Sequence, residues 1–93
     1  MLEFEWDEIK AERNKKKHSV SFYEATSIFA DELSVTFPDP DHSVEENCFI
    51  IIVYSVNSSI LVVSHTYRLN SIRIISARKA TKREIQYYEQ IKN

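Results

Sequence analysis

The chain reads as a single α+β domain, and three observations carry that reading. Three apolar runs, residues 49–56, 60–67 and 72–78, follow one another with only Asn57-Ser58-Ser59 and, after Arg68, Leu69-Asn70-Ser71 between them. Connections this short join neighbouring strands antiparallel, as a meander. Two Ser/Thr-x-x-Glu boxes, Ser21 to Glu24 and Thr81 to Glu84, each mark the start of a helix. At the N-terminus Leu2, Phe4 and Trp6 alternate with Glu3 and Glu5, the pattern of a short half-exposed strand suited to a sheet edge. No internal repeat or low-complexity linker interrupts the 93 residues, so residues 1–93 form one domain of order β-α-α-β-β-β-β-α.

Each element has a local cause. Asp7 is a good N-cap for a helix over 7–18, which carries acids in its first turn and bases in its last, as the helix dipole favours. Its apolar stripe is thin, since Ile9 and Ala11 supply most of it. Ser19 stands where a left-handed residue, usually glycine, ends such a helix; a non-glycine residue there costs roughly 1 kcal/mol. The second helix follows from Ser21, with Val20 and Ala25 as a hydrophobic staple and Phe22, Ala25, Thr26 and Phe29 expected on the sheet-facing side. A short strand over 33–36 and an exposed, acidic, proline-bearing loop over 37–47 precede the meander. A tight turn around Asn70 pairs Arg68 with Ile72 and Tyr67 with Arg73, although a one-residue slip reverses every facing. The last helix opens at Thr81, stapled by Ala80 and Ile85, with Ile85, Tyr88 and Ile91 inward.

Composition excludes several functions. The chain has no glycine at all, so no phosphate-cradling glycine loop of the Walker or dinucleotide-binding kind exists. Cys48 is the sole cysteine, which rules out an internal disulfide, and its place beside an apolar strand fits a small buried thiol. The three histidines, His18, His42 and His65, are widely spaced, and the carboxylates do not cluster with them at helical ligand spacing, so no metal box competes and no cofactor is called for. No apolar window approaches the roughly 18 residues of a membrane span and no signal sequence is evident, so a cytoplasmic protein is expected.

The net charge of −2 conceals a segregation. Residues 1–50 hold twelve acids and five bases, whereas residues 51–93 hold seven bases and two acids. From Arg68 to Arg83 there are six basic residues, Arg68, Arg73, Arg78, Lys79, Lys82 and Arg83, and no acid. Cations fixed on regular elements are what a polyanion such as RNA requires. Metal-independent RNA cleavage needs a base for the ribose 2′-hydroxyl, an acid for the leaving 5′-oxygen and cations for the phosphate. The side chains able to fill those roles are Lys10, His18, His65, Tyr67, Arg68, Arg73 and Arg78. Lys82 and Arg83 stand at a helix N-terminus against its dipole, which costs a few tenths of a kcal/mol each. A bound anion or the acidic segment could offset that cost.

Several strings carry a family resemblance: Trp6-Asp7-x-x-Lys10, Asn14-x-x-Lys17-His18-x-Val20-Ser21-Phe22-x-Glu24-Ala25, Phe29-x-Asp31, Leu61-Val62-Val63-x-His65-Thr66-x-Arg68, and Ile72-Arg73-Ile74-Ile75-Ser76-Ala77-Arg78-Lys79-Ala80-Thr81-x-x-Glu84 with Tyr88. Together they resemble the BrnT toxins of bacterial type II toxin-antitoxin systems. The resemblance implies a RelE-like fold with two N-terminal helices, a four-stranded antiparallel meander bearing a short N-terminal edge strand, and a C-terminal helix. It implies a ribonuclease that arrests growth, neutralised by a BrnA-like antitoxin in a hetero-oligomer built on an antitoxin dimer. Operator DNA would be met only through the antitoxin. Lys10, His65, Arg68, Arg73 and Arg78 fall in the matching strings as catalytic candidates, with Lys17, Tyr67, Lys79, Lys82 and Arg83 as RNA-binding candidates. The sequence departs from the family at Ser19, usually glycine, and at Tyr67, more often charged. Two other readings compete: a non-catalytic antitoxin-binding co-repressor of the same fold, and an oligomerisation domain, which would need a large exposed apolar patch.

Overall fold

A computed structural model of the chain describes residues 3–30, 34–39, 47–55 and 59–92. They form a sheet of five strands: β1 (Phe4–Glu5), β2 (Val35–Pro38), β3 (Cys48–Tyr54), β4 (Ile60–Arg68) and β5 (Ser71–Lys79). The helices are α1 (Glu8–His18), α2 (Phe22–Thr26) and α3 (Lys82–Lys92), with a 3₁₀ turn at Ser27–Ala30 between α2 and β2. The strand order is β1-β5-β4-β3-β2, so β2 to β5 are the expected antiparallel meander, and β1 lies on the edge, parallel to β5. None of the described helices is long and apolar enough to cross a membrane.

The caps form as the sequence predicts. The Asp7 side chain accepts from the backbone N–H groups of Ile9 and Lys10, and Ser19 closes α1 in the left-handed region at φ 59°. Ser21 Oγ accepts from Glu24 N at 2.9 Å, and Thr81 and Glu84 bond reciprocally at 3.2 and 2.9 Å. Glu24 does not reach back to its own cap; its carboxylate accepts from Ser55 Oγ at 2.8 Å instead.

The second helix differs from expectation in a way that changes its inner face. Thr26 Oγ1 donates to Tyr23 O and Ser27 Oγ to Glu24 O, and the chain tightens into the 3₁₀ turn. At three residues per turn Ile28 joins the expected Phe22 and Ala25 as a buried inward position, and Phe29, half-buried, still faces the sheet, with its ring centroid 4.8 Å from that of His65. Pro38, expected in the loop, ends β2, where an edge strand tolerates proline. Leu33, His42 and the turn residues Asn57 and Ser58 lie outside the described residues.

Alternation gives the sheet two different faces. One carries Leu61, Val63 and His65 of β4 with Ile51 and Val53 of β3, and α1, α2 and the 3₁₀ turn cover it. On the other, α3 packs through Tyr88, fully buried against Tyr54, and through Tyr87 against Phe37. The thin apolar stripe of α1 is compensated by a polar clamp. Asn14 Nδ2 donates to Ala77 O at 2.7 Å and to Val20 O at 3.0 Å, and Asn14 Oδ1 accepts from Ala77 N at 3.1 Å. Because β1 pairs only with Ile72 and Arg73, the side-chain amide of Asn14 serves Ala77 as a substitute for the missing strand.

Candidate nucleic-acid interface

The β4–β5 hairpin turns on Leu69 and Asn70, one residue tighter than expected. Arg68 therefore pairs with Ser71, Tyr67 with Ile72, and Thr66 with Arg73. A bulge follows: His65 pairs with Ile74 but Ser64 with Ser76, leaving Ile75 as the extra residue. Strict alternation would put Arg73 and Arg78, five positions apart, on opposite faces. The bulge absorbs one residue and returns both to the same face, which they share with Arg68, Ser64 and Thr66. Arg73 and Arg78 are then about 13 Å apart along the strand, since their partners on β4 are four residues apart.

The arginines are held differently. Arg78 makes a bidentate pair with Glu84 of α3, Nη1 to Oε1 at 2.7 Å and Nη2 to Oε2 at 2.9 Å. These bonds, joined by the Thr81 N–H, hold the Glu84 carboxyl down at about 2, and the same carboxylate raises Arg78 further above its already high value. Arg78 thus fastens α3 to the sheet. Arg68 and Arg73 instead share one carboxylate oxygen on β1: Glu5 Oε1 lies 4.0 Å from Arg68 Nε and 3.8 Å from Arg73 Nη1. Their side chains are 46% and 34% exposed. The backbone N–H group of Lys10 foremost, then that of Ile9 and the charges of Lys10 and Arg73, hold Asp7 below the usual carboxylate range against an opposing desolvation cost. Lys10, exposed on the first turn of α1, therefore belongs to the same edge of the molecule as Arg73.

The remaining candidates lie elsewhere. His65 is fully buried on the helix-covered face, ringed by Phe29, Phe49 and Tyr67 at centroid distances of 4.8, 6.2 and 5.4 Å. Burial pushes its imidazole down from 6.5; its Nδ1 lies 3.2 Å from Val63 O, and its Nε2 has no hydrogen-bond partner. Tyr67 is on that same face, exposed at its edge. Lys79 is also there, opposite Leu61. Lys17 and His18 end α1, far along the helix from Lys10. Lys82 and Arg83 are exposed at the start of α3, and Arg83 borders a cleft of about 360 Å³ lined by Phe37, Ile50, Ile52, Val62 and Tyr87. Cys48 is buried. Among the described residues no group of three or more His, Cys, Asp or Glu is gathered as metal ligands would be.

Sequence reasoning missed Glu5, Asn14 and the second role of Glu84. Only the capping position of Glu84 was visible. The signal for Glu5 was its outward place in an alternating edge strand, which gives no hint of the strand it joins.

Fold and face together define a small α+β protein with a cationic sheet surface next to its N-terminal edge. Residues 6–84 match the family described as the ribonuclease toxin BrnT of type II toxin-antitoxin systems, and the chain belongs to that family. Its structure is similar to the crystal structure of the Brucella abortus ribonuclease toxin BrnT, with a TM-score of 0.68 and 20% identity over 88% of this chain and 100% of that one. No curated protein matches.

Proposed function

We propose that the protein is a RelE-like endoribonuclease toxin that cuts RNA without a metal ion. Arg68 and Arg73 hold the scissile phosphodiester and stabilise its pentacoordinate state, while Lys10 carries a proton at the same edge. The 2′-hydroxyl loses its proton and attacks phosphorus, and the 5′-oxygen leaves as it gains one. Arg78 keeps α3 in place beside this surface. Lys82 and Arg83, exposed at the start of α3, add flanking charge, whereas Lys17 at the end of α1 and Lys79 on the opposite face of the sheet lie away from this surface. His65 shapes the strand that presents Thr66 and Arg68 from within the core. The observation that carries the reading is the bulge at Ile75, which gathers Arg68, Arg73 and Arg78 on one face of a chain in a ribonuclease-toxin family.

A BrnA-like antitoxin, acting as a dimer in a hetero-oligomer and alone reading operator DNA, neutralises the protein by covering that face. A complex that leaves Arg68 and Arg73 open would contradict this. A second reading, an antitoxin-binding co-repressor that no longer cuts RNA, is favoured by the burial of His65, which keeps an imidazole away from the arginines. Purified protein freed of antitoxin and incubated with RNA in EDTA separates the two. Cleavage supports a metal-independent nuclease; intact RNA under conditions where the protein is folded supports the co-repressor.

A further inference from the structure

Among the described residues, the acid–arginine contacts of Glu84 and of Glu5 on the same face differ in kind. Glu84 meets Arg78 at hydrogen-bond distance through both oxygens, whereas Glu5 places a single oxygen 3.8 Å from Arg73 and 4.0 Å from Arg68. Charge-assisted hydrogen bonds run at about 2.7–2.9 Å, so Glu5 is a shared counter-ion rather than a locked partner. Its side chain is 42% exposed. An anionic oxygen between two guanidinium groups stands where a phosphate oxygen would sit.

Nothing else on β1 depends on that side chain. The strand is registered by its backbone, with Ile72 N donating to Glu3 O at 2.8 Å, and by Phe4, which packs on Phe29 with ring centroids 5.2 Å apart. Half-exposed ion pairs at such distances add little to stability. The carboxylate therefore has its main effect on whatever anion comes to Arg68 and Arg73.

We propose that Glu5 occupies the phosphodiester subsite of the free protein and sets its affinity, swinging aside when an RNA backbone phosphate enters between Arg68 and Arg73. This rests on the reading of that face as the RNA surface. In the complex the displaced carboxylate remains close to the phosphate, and like charges at this range weaken binding about fivefold in a watery setting. The repulsion fades as salt screens it.

The test is binding of a single-stranded RNA with 2′-O-methyl sugars, which cannot be cut by 2′-hydroxyl attack. Glu5→Gln and Glu5→Ala, each checked for an unchanged circular dichroism spectrum, should bind about fivefold tighter than wild type at low salt. That advantage should shrink at high salt, while Arg68→Ala and Arg73→Ala bind more weakly. If the arginine variants weaken binding but both Glu5 variants bind no better than wild type, Glu5 is not the occupant and this inference falls alone. If the arginine variants also bind as wild type does, the RNA face itself is misplaced.

Discussion

Replacing Asn14 with alanine would remove the clamp between α1 and β5. Three hydrogen bonds are lost, leaving Ala77 N–H, Ala77 O and Val20 O facing a gap in a region where Val20 and Ala77 are buried. Each buried polar group left unpaired costs about 1–3 kcal/mol, and partial entry of water recovers some of it. A loss of about 3–4 kcal/mol is expected, against a total of roughly 5–14 kcal/mol for a domain of this size. Urea denaturation followed by Trp6 fluorescence measures it. With a slope of about 2 kcal/mol per molar, the midpoint should fall by about 1.5–2 M. Asn14→Asp sharpens the test, because a carboxylate accepts but cannot donate to the two carbonyls it would face. It should be at least as damaging as alanine at neutral pH. A loss below about 1 kcal/mol for alanine would show that α1 is held by its apolar contacts and that Asn14 is no substitute strand.

Other consequences concern pH, the helix end and α3. The unfolded chain protonates His65 near 6.5 before the folded protein does, and Glu84 near 4.5 rather than about 2. Protons thus favour unfolding at both sites: stability should fall as pH drops below 6.5 and fall further between 4.5 and 2, and His65→Leu should flatten the upper part of a thermal-stability profile against pH. Ser19→Gly relieves the left-handed strain at φ 59° and should stabilise the protein by about 0.5–1 kcal/mol, read by the same denaturation. Arg78→Met breaks the pair with a partly exposed Glu84, so the direct cost is only about 1 kcal/mol. Amide exchange in α3 should nevertheless rise, and equal protection would mean that the apolar contacts of Tyr87 and Tyr88 hold the helix without the ion pair.

What could be read in advance follows from how local each cause is. Caps depend on residues within four positions, and Asp7, Ser19, Ser21, Thr81 and Glu84 all behave as their types require. The meander and the edge position of the first strand follow from short connections and alternation. The facing of the arginines does not, because Ile74 and Ile75 are equally apolar and nothing in their order tells a bulge from regular pairing. The same holds for the 3₁₀ turn, which arises when the Thr26 and Ser27 hydroxyls bond back to carbonyls, something their types permit at many helix positions. His65 stands in a strand whose two faces are nearly as apolar as each other, so its burial away from Arg68 and Arg73 became visible only with the helices in place.

The most direct measurement is the rate at which purified, antitoxin-free protein cuts single-stranded RNA in EDTA, wild type against the Arg68→Ala/Arg73→Ala double variant at equal folded fraction. The account predicts cleavage by the wild type and a loss of a hundredfold or more in the double variant, on the order of removing one or two transition-state donors. Cleavage at the wild-type rate by the double variant would contradict it.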